Sequence, residues 1–316
     1  MDGLWFEDMV ASSAVPEAMT ESPSGASTRG SHQLSAVMTC ELLWFYYYMA
    51  KVRPRGQRDN MVLGTLVHLF LAYHYAVRLP GGARPTWFAA RPDLEAALIE
   101  DSEGRLDLVK EARDMYAAYC LNYAADPWTP VAVEEEFRAT VGELDPGGPD
   151  PTLDDEVVSC RTDLVVEMNG LTWIVDHKTA APDRRSGRLY AWNGCADWKL
   201  NLQVLQNLLI LRKRMPERFV HSFSINRIKK ERPFNGFERN TVDVPAMAYQ
   251  IAPKLIREAV RRERDLRRRI EAGGDPVSNF GSCYGRFGPC SFFDLCTAHS
   301  EDQQNQLFSK LYVIQD

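Results

Sequence analysis

The chain has 316 residues, 45% hydrophobic, 10% aromatic and 25% charged, which is ordinary globular composition. That length supports a sizeable core and about two structural units. A formal charge of −6 argues against a protein that coats nucleic acid non-specifically, although a local basic groove remains compatible with it. No apolar run reaches the roughly 18 residues of a membrane span. The opening MDGLWFEDMV has no basic region followed by an apolar one, so neither a membrane anchor nor a secretory signal is expected.

Taken in chain order, residues 11–31 are rich in Ser, Ala, Pro, Gly and Thr and read as a flexible lead-in, with order beginning near Ser35. Residues 41–52 are apolar and aromatic and predict a buried helix. A charged break follows, and a long apolar helix begins near Met61. Residues 80–92 predict a loop and 93–124 one or two amphipathic helices. The β signal starts at Val131, and residues 157–168 and 171–178 form a hairpin around Asn169-Gly170. A helix over 198–215, a strand over 219–229 and a long helix over 246–272 precede a cysteine-rich tail. This order predicts an α/β (α+β) fold, a core sheet flanked by helices. The expected divisions are a flexible 1–34, a helical cap at 35–130, a sheet-bearing core at 131–245 and a basic, cysteine-rich 246–316.

A two-residue turn at 169 and 170 pairs Met168 with Leu171 and sets Asp163 directly opposite Asp176. Side chains so placed have Cβ atoms about 4.5–5.5 Å apart, and like charges there repel. Lys178 points to the same face as Asp176. Paired carboxylates need a shared proton or a divalent cation, and Mg²⁺ and Mn²⁺ prefer such ligands. The alternative is a solvated surface ion-pair cluster. The same register sets Arg161 against Lys178, so the strands are expected to splay or shift there.

Asp163, a hydrophobic strand, then Asp176-His177-Lys178 resembles the D…(D/E)-X-K core of the PD-(D/E)XK nuclease superfamily. The RecB-like exonuclease branch is the most similar. Gly64-Thr65-Leu66-Val67-His68 resembles its G-x-x-x-H helix, and Gln203 resembles the glutamine of its Q-x-x-x-Y helix. The resemblance runs from about Ser35 to Cys296. Two positions depart from the pattern. Cys160 stands where a glycine is common, and Asn207 stands where the tyrosine is expected, so Gln206 is an alternative to Gln203. The resemblance implies Mg²⁺ or Mn²⁺ held by His68, Asp163, Asp176 and the His177 backbone carbonyl, with Lys178 and Gln203 completing the catalytic set.

The cysteine count is seven, an odd number, and with no export signal a disulfide framework is not expected. Cys283, Cys290 and Cys296 fall within fourteen residues, and Cys40 is a candidate distant fourth ligand. Four thiolates suit a [4Fe–4S] cluster or zinc. The layout is similar to the iron–sulfur subset of the same branch, which includes the CRISPR-adaptation nucleases and AddB, and that implies the [4Fe–4S] cluster. Cys120, Cys160 and Cys195 read as ordinary buried thiols.

Arg257, Arg261, Arg264 and Arg268 recur at helical spacing and form a candidate stripe for a phosphate backbone, with a solvated, ion-paired face as the alternative. Arg227, Lys229, Lys230 and Arg232 add a second basic patch. Trp44 and Tyr46 to Tyr48 are candidates for base stacking or for core. The resemblance implies a cytoplasmic DNA exonuclease of a bacterium or phage-infected cell. It would act on single-stranded DNA or duplex ends in recombination, repair or end processing, alongside a helicase, recombinase or other repair partner. The rival expectation is a DNA-binding or assembly subunit with an idle site.

Overall fold

A computed structural model describes residues 29–56, 59–180, 198–230, 232–285 and 288–315. Most of the expected lead-in, and Cys195, lie outside the described residues. The described residues fall into two compact units, 29–30 with 59–254, and 31–56 with 255–315.

The larger unit opens with helices α1 (Asp59–Ala76), α2 (Leu94–Asp101) and α3 (Leu106–Asn122). Strands β1 (Thr129–Thr140), β2 (Val157–Met168) and β3 (Leu171–Ala180) follow. Helix α4 (Leu202–Arg214) then leads to β4 (Val220–Lys229) and β5 (Phe237–Val242). Helix α5 (Ala246–Glu271) starts here and continues into the second unit. The sheet order is β1-β2-β3-β4-β5. All neighbours are antiparallel except β3 and β4, which are parallel and therefore need the crossover that α4 provides. The result is the mixed α/β architecture that the sequence predicts.

The β2–β3 turn follows from its two residues. Asn169 (φ 54°) and Gly170 (φ 73°) both adopt the left-handed conformation that a tight hairpin requires. Helix α1 buries Val62, Leu66, Val67, Phe70 and Leu71 with Met115 and Tyr119 of α3 against Val133, Leu164, Val166 and Val175 of the sheet. The side chain of Asn201 caps α4 by accepting from the Gln203 N–H at 2.8 Å. Strand β5 was not anticipated. Its sequence, FERNTV, has little apolar content, and its pairing with β4 sustains it. The expected loop over 80–92 contains a helical turn at Thr86–Ala90.

In the second unit, a helix at Ser31–Thr39 precedes a short one at Glu41–Trp44. The chain passes directly into a π-helical turn, Phe45–Met49, where the Ala50 N–H donates to the Phe45 carbonyl, so the helix expected over 41–52 is present, widened in its second half and ending at Met49. Val52–Pro54 pairs with Tyr312–Ile314. Trp44, Phe45 and Tyr46 pack with Leu266, Ile270 and Phe292, which makes Trp44 and Tyr46 core residues rather than stacking platforms for bases.

Candidate active site

The paired ladder between β2 and β3 runs from Met168↔Leu171 to Leu164↔Val175 and stops one step before the two aspartates. Beyond it the strands part. Arg161 does not face Lys178. It faces Glu136 across β1, with a nitrogen and an oxygen 3.8 Å apart. In place of the next ladder bond, the His177 backbone N–H donates to Asp163 Oδ2 at 2.7 Å. The splay opens a gap at the sheet, and the carboxylates converge there.

Asp176 is buried, and its side chain is gripped from two elements. Lys178 Nζ lies 2.8 Å from Oδ1 and 2.7 Å from Oδ2, and Gln203 Nε2 donates to Oδ1 at 2.9 Å. Oδ2 has no directed hydrogen bond. Of the two candidate glutamines, Gln203 reaches the site. Gln206 is fully buried and donates to the Ser159 carbonyl at 2.8 Å. His68 Nδ1 lies 3.4 Å from Asp163 Oδ2. The glycine one turn earlier explains how α1 comes so close: a Cβ on Gly64 would sit 3.1 Å from Thr179 Oγ1.

Sequence reasoning missed Glu134. It sits in β1 with φ 49°, unpaired in the ladder between Val133↔Leu164 and Glu135↔Thr162, and its carboxylate joins His68 and Asp163. One ligand atom from each of the three falls within 4.8 Å of the others, an arrangement that fits a divalent cation. The sequence signal is weak, because Glu134 to Glu136 are three glutamates in a row and only the local backbone selects one.

The electrostatics agree with that fit. Burial raises the Glu134 carboxyl well above its ordinary range, and Asp163 adds to the effect. Burial also raises Asp176, with Lys178 opposing and Asp163 reinforcing. Burial acts upward on Asp163 too, but the charges of His68 and Lys178 and the His177 N–H outweigh it and hold that carboxyl low. Burial acts downward on Lys178, while Asp176 and Asp163 outweigh it and keep the ammonium charged. Three carboxyls around one lysine leave excess negative charge, which a proton or a cation relieves. His177 is buried, and burial holds its ring down to about 3, hence neutral.

In the other unit, Cys40, Cys283, Cys290 and Cys296 line one cavity of about 320 Å³ with Leu43, Tyr46 and Phe292. The Asn279 N–H lies 3.4 Å from Cys40 Sγ. Burial pushes Cys296 up to about 11 and raises Cys290, and the neighbouring thiols add to both. Cys160 is buried and stands apart from them, as expected.

The arginine stripe is not uniformly solvent-facing. Arg257 is 3% exposed, Arg261 is paired with Glu258 and Asp265, and Arg268 is exposed. In the second basic patch Arg227 is buried, with a nitrogen 3.4 Å from Glu238 Oε2. Lys230 donates to the Asn60 carbonyl at 2.6 Å, and Arg232 pairs with Asp114.

The family model of the PD-(D/E)XK nuclease superfamily matches residues 31–297. The chain belongs to that superfamily. Among the described residues, the ligand atoms of His68, Glu134 and Asp163 form a candidate site for the divalent metals that nucleases of this superfamily use. No curated protein matches the chain. A crystal structure provisionally named an exonuclease, from Eubacterium rectale, is similar at 12% identity and TM-score 0.46, covering 83% of this chain and 90% of its own. The structure of SSO0001 is similar at 13% identity and TM-score 0.29, covering 66% and 78%. No described helix is long and apolar enough to cross a membrane.

Proposed function

We propose that this nuclease is a Mg²⁺- or Mn²⁺-dependent deoxyribonuclease that digests DNA from single-stranded or frayed ends, in recombination, repair or end processing. The observation that carries the reading is the convergence of His68, Glu134 and Asp163 beside an Asp176 held by Lys178 and Gln203. The metal, when bound, neutralises phosphate charge and lowers the pKa of the attacking water. His68, Glu134, Asp163, Asp176 and the His177 carbonyl are the groups that would hold it.

The rest of the chemistry belongs to the chain. Lys178 is kept charged by Asp176 and Asp163, so it donates to the attacking water or to the developing phosphorane rather than acting as a base. Gln203 fixes the Asp176 carboxylate, so the lysine and the carboxylate are oriented together. As the water oxygen bonds to phosphorus and its proton passes to solvent, the P–O bond to the leaving deoxyribose oxygen breaks, and that oxygen takes the electron pair and a proton from solvent.

The four cysteines would hold a [4Fe–4S] cluster. The four cysteines line one cavity, and a backbone N–H to a cysteine sulfur is a usual feature around such clusters. Burial, with the neighbouring thiols adding to it, raises Cys290 and Cys296, and a bound cationic centre would stabilise their thiolates.

The deciding experiment is cleavage of end-labelled single- and double-stranded DNA by anaerobically purified protein with Mg²⁺, Mn²⁺ or EDTA, alongside Asp176→Ala. Metal-dependent laddering from one end by the parent, absent in the variant, is expected. No cleavage by the parent would overturn the enzymatic reading in favour of a DNA-binding subunit.

A further inference from the structure

His177 lies between the two residues of the motif that carry the chemistry, and strand alternation turns its ring to the opposite face of the sheet. Several functions meet in this residue. Its N–H holds Asp163 at 2.7 Å. Its ring stands edge-on to that of His68, with centroids 5.9 Å apart and an interplanar angle of 87°. It stacks near-parallel on Tyr75, at 6.0 Å and 9°. A displacement of His177 would therefore move two groups of the candidate metal site.

One side chain fixes the ring by a polar contact. Asn226, on the parallel strand β4 and directly paired with His177, places Nδ2 2.8 Å from His177 Nδ1 and 3.2 Å from Tyr119 Oη. Asn226 is 0% exposed, and its Oδ1 is buried without a hydrogen-bond partner. A buried amide with an unmet acceptor is costly, and an apolar residue of similar shape would avoid the cost. The contact to His177 is what the amide provides in return.

The amide is anchored in turn. Tyr119 Oη lies 2.7 Å from Tyr75 Oη and accepts from Arg239 at 2.9 Å. Arg239 donates to both oxygens of Asp126, at 2.7 and 3.0 Å, and Tyr75 donates to Asp126 at 2.8 Å. The guanidinium is clamped between Trp128 and Tyr123, 3.3 and 3.6 Å from their ring centroids. Every member of this chain thus has its orientation set by the next, and the chain ends at the strand that carries the site.

We propose that Asn226 is a positioning residue for metal binding and cleavage. It acts through His177, and the Arg239–Asp126–Tyr75–Tyr119 network locks it in turn. The proposal rests on the metal-dependent nuclease reading. Groups that orient a metal's ligands typically contribute ~10–100-fold to affinity or activity.

The test measures Mn²⁺ dissociation constants by calorimetry, together with kcat and KM for DNA, in the parent, Asn226→Leu and Tyr119→Phe. The expected result for Asn226→Leu is Mn²⁺ affinity and kcat both weakened ~10–100-fold, with KM for DNA unchanged. Tyr119→Phe, which deletes one oxygen, should shift both in the same direction by less. It also carries the test if the leucine variant does not fold. A residue that only fills the core would leave the Mn²⁺ constant where it is. Folded variants with Mn²⁺ affinity and kcat within about twofold of the parent would overturn the positioning role alone. A parent that neither binds Mn²⁺ nor cleaves DNA would overturn the nuclease reading, and the positioning role with it.

Discussion

Glu134 sets stability against function in a single side chain. A non-glycine residue at φ 49° inside a strand costs roughly 1 kcal/mol or more, and its carboxyl is further disfavoured by burial and by Asp163. Glycine at this position would relieve both costs and remove a candidate ligand. Glu134→Gly should therefore leave the metal-free protein as stable as the parent or raise its Tm, while weakening Mn²⁺ binding by at least about tenfold. Thermal scans with and without Mn²⁺ check this, and a variant that loses stability without metal yet binds Mn²⁺ normally would remove Glu134 from the site. The residue was illegible in the sequence for a physical reason. Alternation along VAVEEEF puts Glu134 and Glu136 on one face without choosing between them. The choice is made by a local backbone excursion, while Glu136 is drawn off to Arg138 and Arg161.

Among the elements, those specified by local chemistry were legible and those specified by partners were not. Asn169-Gly170 dictates the hairpin, the hairpin dictates the register, and the register brings Asp163 and Asp176 together, so half of the site follows from two turn residues. Strand β5 and the pairing of Val52–Pro54 with Tyr312–Ile314 have no such internal signal and exist through long-range ladders. The α1 glycine lies between these cases. Gly64 reads as part of a motif, but its physical role appears only where α1 meets β3, at Thr179 Oγ1. Gly64→Val should cost about 1–3 kcal/mol through overpacking and push α1 outward, carrying His68, one turn on, away from Asp163. The expected signature is a loss of Mn²⁺ affinity larger than that of Gly64→Ala, for which Thr179 needs to yield only a few tenths of an ångström. Equal affinities in the two variants would show that close approach is not what the glycine provides.

At the scale of the whole molecule, the smaller unit draws its residues from two ends of the chain, 31–56 and 255–315. Within it Cys40 comes from the first segment, and Cys283, Cys290 and Cys296 from the second. A centre bound by all four closes a loop that contains residues 59–254 of the larger unit, and cross-links closing long loops restrict the unfolded chain most. In the chain-entropy model that restriction is worth on the order of 5 kcal/mol. The apolar core of this unit, centred on Trp44, Phe45 and Phe292, shares residues with the cavity wall, so loss of the centre should loosen packing as well as topology. On the proposed iron–sulfur reading, Cys40→Ser should therefore bleach the visible absorbance that the cluster would give the anaerobically purified protein and lower the melting of this unit. The larger unit has its own core around α1, α3 and the sheet and should keep its transition. Calorimetry is then expected to show one transition moving down and another staying in place. A single transition shifting as a whole would mean that the two units unfold together. An unchanged scan with the absorbance lost would mean that the cysteine centre contributes little to holding the ends of the chain.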